Sequence, residues 1–409
     1  MSGEQHILAN GLTVAVDPLP GAESVALGLY AAVGSRSEPE RLSGLAHLVE
    51  HMVFKGAGGR DTRALAEVIE DVGGSLNAWT ARDQTVFHGR ALGRDLPLVA
   101  ELIADLVRSP HLDEAHLARE KQVILSELGE ATDSPDDLVH DHLFEAAFDG
   151  QAIGRSVLGR EDSIRAVEPK DCRDWLAGQF VPSRLVLAAS GKVAADAVLQ
   201  LAERLFGDIP ASEPPAIEPA RFTGGLRNDS RSFEQAHWCL AFPGVRAADP
   251  RNPALALFVQ ALGGGTSSRL FQELREERGL AYSIYAWNQP FADTGLVAIG
   301  CAAERARAAE SVQLSRDVLA ATADALSEAE LNRARAQMEA GLLMTLETAQ
   351  GRADHIARSI EVFGRILTLD ELLGQIRGVT VAGARAAGQA LLDGPIAVAS
   401  VGAKLALAA

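Results

Sequence analysis

The segment HLVEH restricts how this chain can fold more than any other feature, because it sets two histidines and a glutamate among apolar residues. Glycines at positions 44 and 56 bound the segment, and its apolar residues recur with helical periodicity, which predicts one buried helix. His47 and His51 are four residues apart and therefore lie one turn apart on the same helix face. Burying both imidazoles and the carboxylate of Glu50 costs several kcal/mol unless partners satisfy them.

A metal ion would satisfy all three groups at once. Two neutral nitrogen ligands beside a carboxylate form the core of a catalytic zinc site, in which an open position holds water. Glu50 follows His47 by three residues, so its carboxylate can lie beside the ion rather than on it. The alternative is an ordinary helix that happens to contain two histidines. Burial favours the first interpretation, with one Zn²⁺ per chain bound by His47 and His51 and with Glu50 as the catalytic base.

A third protein ligand is needed, and the best candidates lie in the run LAREKQVILSELGE at residues 117–130. The run has helical periodicity, with apolar residues on one side. Glu120 and Glu127 are seven residues apart and therefore share a helix face. Helix geometry alone leaves the choice between these two glutamates open.

These motifs resemble the pitrilysin-type (inverzincin) zinc metallopeptidases, in particular the group that includes mitochondrial processing peptidase. In that family, a glutamate about 76 residues after the second histidine is the third zinc ligand, and this position is Glu127 here. The run EKQVILSE also looks like the family's E-x-x-V-I-x-x-E helix. The resemblance therefore implies that Glu127 binds zinc and that Glu120 supports the ligands from behind.

Two further runs carry the same resemblance. GGSLNAWT resembles the strand that borders the family's active site and pairs with the substrate backbone, which makes Asn77 and Ala78 the implied contacts. SSRLFQELREERGLAY resembles a block from the family's other domain, in which an arginine and a tyrosine face the zinc site. Arg275 and Tyr282 would then hold the substrate carbonyl and its developing oxyanion.

The order of predicted elements indicates an α+β fold with mostly antiparallel sheets covered by helices. Strands are predicted at residues 12–16, 25–31 and 185–190, and helices at about 43–55, 61–72, 93–107, 113–130 and 194–206. A proline-rich run after Ile209 predicts an extended connector. The expected organisation is a zinc-binding domain at 1–208, a linker at 209–225, and a homologous domain without metal ligands at 226–409.

The chain also contains a weak internal repeat. Residues 113–127 match residues 327–341 at an offset of 214. At this offset the positions of the four key groups are occupied by residues that cannot bind metal through their side chains: Ala261, Gly264, Gly265 and Gly341.

Composition excludes several classes of function. Lys and Arg number 38 against 55 Asp and Glu, a net charge of −17, which argues against nucleic-acid binding. Three widely separated cysteines form no disulfide framework and favour a reducing compartment. No apolar run reaches membrane-spanning length, and the first residues do not resemble a signal peptide. We therefore expect a cytoplasmic protein without a membrane partner.

The function expected from the sequence is that of a zinc-dependent endopeptidase acting on extended peptides or unfolded segments inside a chamber between its domains. The resemblance implies a homodimer, or a heterodimer with an inactive homologous chain. The alternative is a non-catalytic partner or scaffold subunit of a peptidase complex. Such relatives generally have eroded metal ligands, whereas all four key groups are present here.

Overall fold

The computed structural model describes residues 3–406. These residues form two compact units, each assembled from non-contiguous parts of the chain. The first unit comprises residues 3–128, 156–218 and 343–369, and the second comprises residues 129–155, 219–342 and 370–406.

The strands and helices are numbered in chain order. The strands are β1 (Glu4–Ile7), β2 (Thr13–Pro18), β3 (Ser24–Ala31), β4 (Gly56–Ala57), β5 (Arg60–Asp61), β6 (Ser75–Thr80), β7 (Thr85–Leu92), β8 (Leu185–Gly191), β9 (Gly225–Asp229), β10 (Gln235–Pro243), β11 (Ala281–Pro290), β12 (Gly295–Glu304) and β13 (Ala397–Val401). The α-helices are α1 (Leu45–Val53), α2 (Thr62–Glu70), α3 (Leu96–Arg108), α4 (Glu114–Asp133), α5 (Pro135–Ala147), α6 (Glu161–Ala166), α7 (Pro169–Gln179), α8 (Ala195–Phe206), α9 (Asn252–Gly263), α10 (Ala308–Ala325), α11 (Glu328–Leu346), α12 (Ala349–Phe363), α13 (Leu369–Arg377) and α14 (Val381–Leu392). A π-helix spans Phe271–Glu277, and single 3₁₀ turns occur at Ser35–Ser37, Glu40–Leu42, Gly93–Asp95, Ala152–Gly154, Pro182–Arg184 and Arg305–Arg307.

The first unit is built on a six-stranded sheet in the order β1-β2-β8-β3-β7-β6. Its neighbouring strands are antiparallel except for β2 and β8. Alternate side chains of β3 serve two cores, as the two-residue period of a strand requires. Leu27 and Leu29 belong to the large core that also contains the apolar residues of α1 and α3, whereas Tyr30 belongs to a smaller core with Ile356 and Ile360 of α12.

The second unit is built on a five-stranded sheet in the order β11-β12-β10-β13-β9. Its neighbouring strands are antiparallel except for β9 and β13. α9, α10 and α14 bury apolar residues in one core of this unit, and α5 contributes Val139, Leu143 and Phe144 to another. The α+β class with two domains of mostly antiparallel sheet and covering helices is thereby confirmed.

The domain boundaries predicted from the sequence differ from these units in two segments. Residues 129–155 belong to the second unit, because α5 packs against β13 and β10. Residues 343–369 belong to the first unit, because α12 packs against β8 and β3. Helical periodicity shows that a helix has an apolar face but not which sheet that face will cover. Residues 211–224, within the predicted linker, contain neither helix nor strand.

Local predictions near the metal motif agree with the structure to within a few residues. The helix expected at about 43–55 is α1, and the one expected at about 113–130 is α4. The strand expected at 185–190 is β8, whose residues are all buried. Within residues 3–406, no helix combines the length and the apolar character needed to cross a bilayer.

Candidate metal centre

α1 presents the HLVEH segment, and its first turn is held from outside the helix. Gly44 precedes the helix with φ +93°, where a side chain would collide with the backbone oxygen of Leu158 and with Ile164. The carboxylate of the buried Glu38 accepts hydrogen bonds from the N–H groups of Gly44 and Ala46, both at 2.7 Å. Two of the free N–H groups at the helix start are thus satisfied just before His47.

α4 brings its two glutamates to α1. Oε2 of Glu127 lies 3.9 Å from Nε2 of His47 and 3.7 Å from Nε2 of His51. The ligand atoms of these three residues all lie within 4.8 Å of one another. In a tetrahedral zinc site with bonds of about 2.1 Å, neighbouring ligand atoms are about 3.4 Å apart. The three groups therefore converge at nearly the separation that one zinc ion requires.

The second glutamate of α4 orients His51. Oε2 of Glu120 lies 3.3 Å from Nδ1 of His51, and Glu120 is only 7% exposed. A carboxylate can only accept a hydrogen bond, so the donor must be Nδ1 of His51, which therefore carries the ring proton. Nε2 then keeps the lone pair that a metal needs. The structure thus places Glu127 at the ligand cluster and Glu120 behind His51, and their roles toward a metal ion stay predictions.

Sequence reasoning missed Lys55, whose Nζ lies 3.0 Å from Oε1 of Glu120. A signal was present in the sequence, because Lys55 follows His51 by four residues, as His51 follows His47. α1 ends at Val53, however, so spacing alone did not place a lysine beside a glutamate of another helix.

The protonation states suit a metal centre. Burial and the neighbouring His51 lower the pKa of His47 from 6.5 to about 4, so this imidazole is neutral at physiological pH. Burial raises the pKa of Glu50, although the nearby hydroxyl of Thr80 partly offsets the effect. Nδ1 of His47 and Oε2 of Glu50 are buried and have no hydrogen-bond partner among residues 3–406. The neutral His47, a second imidazole, the carboxylate of Glu127 and the unpaired Oε2 of Glu50 fit a zinc ion with its water.

β6 forms one edge of the first sheet, as expected for a strand that could pair with a substrate. Asn77 is exposed, whereas the side chain of Ala78 is buried in the large core. The backbone N–H of Ala78 donates to Oδ1 of Asn77 at 2.9 Å. The two predicted contact residues therefore lie on an open sheet edge.

Comparison with family models identifies the family of this chain. A model described as insulinase (peptidase family M16) matches residues 13–161, and one described as the peptidase M16 inactive domain matches residues 166–338. Together the two matches cover more than half of the chain. The chain belongs to peptidase family M16.

Relatives in this family are similar in sequence along nearly the whole chain. An uncharacterized zinc protease of Streptomyces coelicolor is 34% identical over 395 residues, covering 94% of this chain and 86% of the relative. The uncharacterized zinc protease YmxG of Bacillus subtilis is 29% identical over 382 residues, covering 92% and 93%. The names of these relatives support a zinc-dependent peptidase.

Solved structures show the same fold. A protease from Helicobacter pylori superposes with a TM-score of 0.90 at 22% identity, covering 98% of this chain and 99% of the other. A structure described as a peptidase M16 inactive domain from Pseudomonas fluorescens gives 0.89 at 22% identity, covering 99% of each chain. At this identity the likeness concerns the fold alone.

The remaining predicted residues of this M16 peptidase lie in the second unit, within the stretch matched by the inactive-domain model. Arg275 belongs to the π-helix, and its guanidinium carbon lies 4.9 Å from the ring centre of Phe271 and 5.8 Å from that of Tyr282. Tyr282, on β11, is 71% exposed. The structure thus brings Arg275 and Tyr282 together, and their role toward the metal centre stays a prediction.

Proposed function

We propose that this chain is an endopeptidase that uses one zinc ion to hydrolyse peptide bonds in extended peptides or unfolded segments. The observation that carries the proposal is the convergence of His47, His51 and Glu127 within 4.8 Å, next to the Oε2 atom of Glu50, which is buried and has no hydrogen-bond partner among residues 3–406. Family membership and the zinc-protease relatives support the same class of reaction.

In this mechanism His47, His51 and Glu127 hold the ion. Bound zinc would supply Lewis-acid chemistry, lowering the pKa of a coordinated water to about 7 and polarising the scissile carbonyl. Glu50 takes a proton from the attacking water and gives it to the leaving amine. The burial that raises the pKa of Glu50 suits this exchange, because a base with a pKa nearer the working pH can also act as the acid.

The substrate would bind as an added strand along β6. An edge strand offers free N–H and C=O groups to an extended peptide, whatever its side chains. In the structure Oδ1 of Asn77 accepts from the N–H of Ala78, so an arriving peptide carbonyl would replace a contact that already exists. This mode selects for unfolded segments, because a folded protein has few free backbone strands. We include in the proposal that the two domains enclose the substrate and that Arg275 and Tyr282 contact it.

The rival function, a non-catalytic partner subunit, is not favoured, because the chain keeps every group that the reaction needs. A second chain stays part of the proposal, either an identical copy or an inactive homologue. Light scattering on the purified 43.2 kDa chain tests the identical-copy form, since a dimer would have twice that mass.

The proposal is tested by measuring bound metal and peptide cleavage in the same preparation. We expect about one zinc per chain by elemental analysis and cleavage that a chelator abolishes and added zinc restores. Glu50→Gln should keep its zinc but lose activity by roughly 10²–10⁴-fold, the usual value of a general acid–base. Glu114→Gln, which changes an exposed glutamate of α4 in the same way, is the control and should stay active. Substantial turnover by zinc-loaded Glu50→Gln would refute the role given to Glu50.

A second measurement defines the substrate class. Peptides blocked at both ends separate an endopeptidase from an exopeptidase, because only the former cleaves them. A library of such peptides, compared with folded precursors that carry an unfolded leader, then distinguishes peptide degradation from limited processing. Cleavage restricted to free termini would contradict the endopeptidase assignment.

A further inference from the structure

The basic side chains of the segment from His47 to Lys55 alternate with the acidic side chains of α4. Glu127 lies against His47 and His51, and Glu120 lies between His51 and Lys55. Beyond the predicted ligands, Oε2 of Glu120 lies 3.3 Å from Nδ1 of His51, and Oε1 of Glu120 lies 3.0 Å from Nζ of Lys55. One oxygen of Glu120 therefore contacts a candidate ligand, His51, and the other contacts the amino group of Lys55.

Burial makes this division necessary. The side chain of Glu120 is 9% exposed, and a carboxylate so far from water needs a charged or hydrogen-bonded partner for each oxygen. If Lys55 were removed, Oε1 would lose its cation, and the carboxylate would be free to turn toward another donor. His51 would then lose the acceptor that holds its Nδ1–H and aims Nε2 at Glu127.

The backbone fixes Lys55 before any ligand binds. Its N–H donates to the carbonyl of Met52 at 3.0 Å, which ends the metal-motif helix in a tight turn. The next residue, Gly56, has φ +135° and lies against His111, where a side chain would collide with the imidazole. Gly56 also pairs with Asp61 in the short ribbon of β4 and β5. The ammonium therefore starts from an anchored position beside Glu120.

We propose that Lys55 is a positioning residue of the metal centre: it locks Glu120 in the orientation that holds His51 for the ion. Lys55 touches neither metal nor substrate, and its effect passes entirely through Glu120. The inference depends on the proposed function only in taking the bound ion to be zinc.

The test is the zinc affinity of the purified full-length chain, measured by competition with a chromophoric chelator. Lys55→Met keeps the length of the side chain and removes the charge. We expect it to weaken zinc binding by roughly tenfold or more, the usual cost of losing a partner behind a metal ligand. Lys55→Arg keeps a cation at Glu120 and should lose clearly less. Lys121→Met is the matched control, because Lys121 follows Glu120 on α4 but donates to the backbone carbonyl of Arg165.

A double-mutant cycle separates action through Glu120 from a general structural effect. Glu120→Gln alone should weaken zinc binding, and adding Lys55→Met to it should cause little further loss, because the lysine then has no carboxylate to hold. The NMR signal of the His51 Nδ1–H in histidine-labelled protein gives a second readout. This signal should persist in the wild type and Lys55→Arg and be lost or shifted in Lys55→Met.

The outcomes distinguish this inference from the proposed function. If the wild type binds no zinc, the proposed function fails and the positioning role fails with it. If the wild type binds zinc and cleaves peptides but Lys55→Met has the same zinc affinity, only the positioning role is overturned. Additive losses in the double mutant, or equal losses in Lys55→Arg and Lys55→Met, would also overturn it.

Discussion

The five-stranded sheet of the second unit matches five of the six strands in the sheet of the first unit, and the candidate metal ligands lie in the first unit. In the first unit the strands run β6-β7-β3-β8-β2, and in the second β11-β12-β10-β13-β9, with the same antiparallel pairs and one parallel pair at the corresponding place. α4 starts at Glu114 and α11 at Glu328, the offset of 214 expected from the internal repeat. The duplication is therefore visible in the topology even where the sequence repeat is weak.

The difference lies in a few side chains. α9 follows the second strand of its unit as α1 follows β3, but its sequence, NPALALFVQALG, contains no histidine or acidic residue. Gly341 of α11 stands at the position that corresponds to Glu127 of α4. The second unit still buries a continuous apolar core. The fold thus does not depend on the metal groups, and the chemistry depends on a handful of residues placed on a common scaffold.

The largest expected effect comes from removing the proposed zinc ligand Glu127 of the first unit. Glu127→Ala should lower zinc affinity by at least about 10³-fold and abolish peptide cleavage, because two imidazoles alone do not complete a zinc site. Metal content after gel filtration and a chelator-competition titration measure the loss.

Gly341→Ala is the matched change in the second unit. A side chain there meets no atom within 4 Å, so zinc binding should not change, and helix stability should rise by roughly 0.5–1 kcal/mol. Equal zinc affinity of Glu127→Ala and the wild type would remove the claimed asymmetry between the units.

A second-unit contribution to catalysis is the next largest effect. If Arg275 and Tyr282 hold the developing oxyanion, Arg275→Ala should lower kcat by about 10²–10³-fold while zinc affinity stays unchanged. Tyr282→Phe should have a smaller effect of the same kind. Arg278→Ala, which removes a neighbouring arginine paired with Glu273, is the control. A normal kcat in Arg275→Ala would show that the second unit does not contribute to catalysis through Arg275.

The sequence predicted features that depend on one segment of the chain better than features that depend on contacts between segments. The bounds of α1 followed from apolar periodicity and flanking glycines, and the place of Glu127 followed from family spacing. The roles of Lys55 and Glu38 were missed, because each side chain contacts a group in another segment of the chain. Sequence periodicity does not reveal such contacts. The same reason explains why α5 and α12 lie in other compact units than the predicted domain boundaries implied. The apolar periodicity of an amphipathic helix shows that one face will be buried, but it does not show which sheet that face will cover.

The start of α1 offers a third, smaller effect. Glu38→Ala removes a buried carboxylate that accepts two N–H groups at the start of the metal-motif helix, and we expect a loss of about 2–3 kcal/mol in unfolding free energy. The control is Arg251→Ala at the start of α9, where no side-chain cap exists and the effect should stay below about 1 kcal/mol. Denaturant unfolding of the metal-free variants measures both. Equal losses would show that the two helices need no different support.

A last effect concerns the helices that cover the two sheets. Both covering helices carry ionisable groups: His142 of α5 lies 3.8 Å from Asp229 of β9, and Glu361 of α12 accepts a hydrogen bond from Gln84. Burial raises the pKa of Glu361 from 4.5 to about 7, although a hydrogen bond from Gln84 at 2.5 Å and the nearby Arg358 oppose the shift, and Asp83 adds to it.

Because the folded chain holds this proton more tightly than the unfolded chain, Glu361 makes stability fall as pH rises from about 4.5 to about 7. One such proton gives a slope of at most about 1.4 kcal/mol per pH unit. Denaturant unfolding at several pH values should show this slope in the wild type and a flatter profile in Glu361→Gln, which stays neutral and can still bond to Gln84. Identical profiles would mean that Glu361 contributes no measurable pH dependence to the stability of the chain.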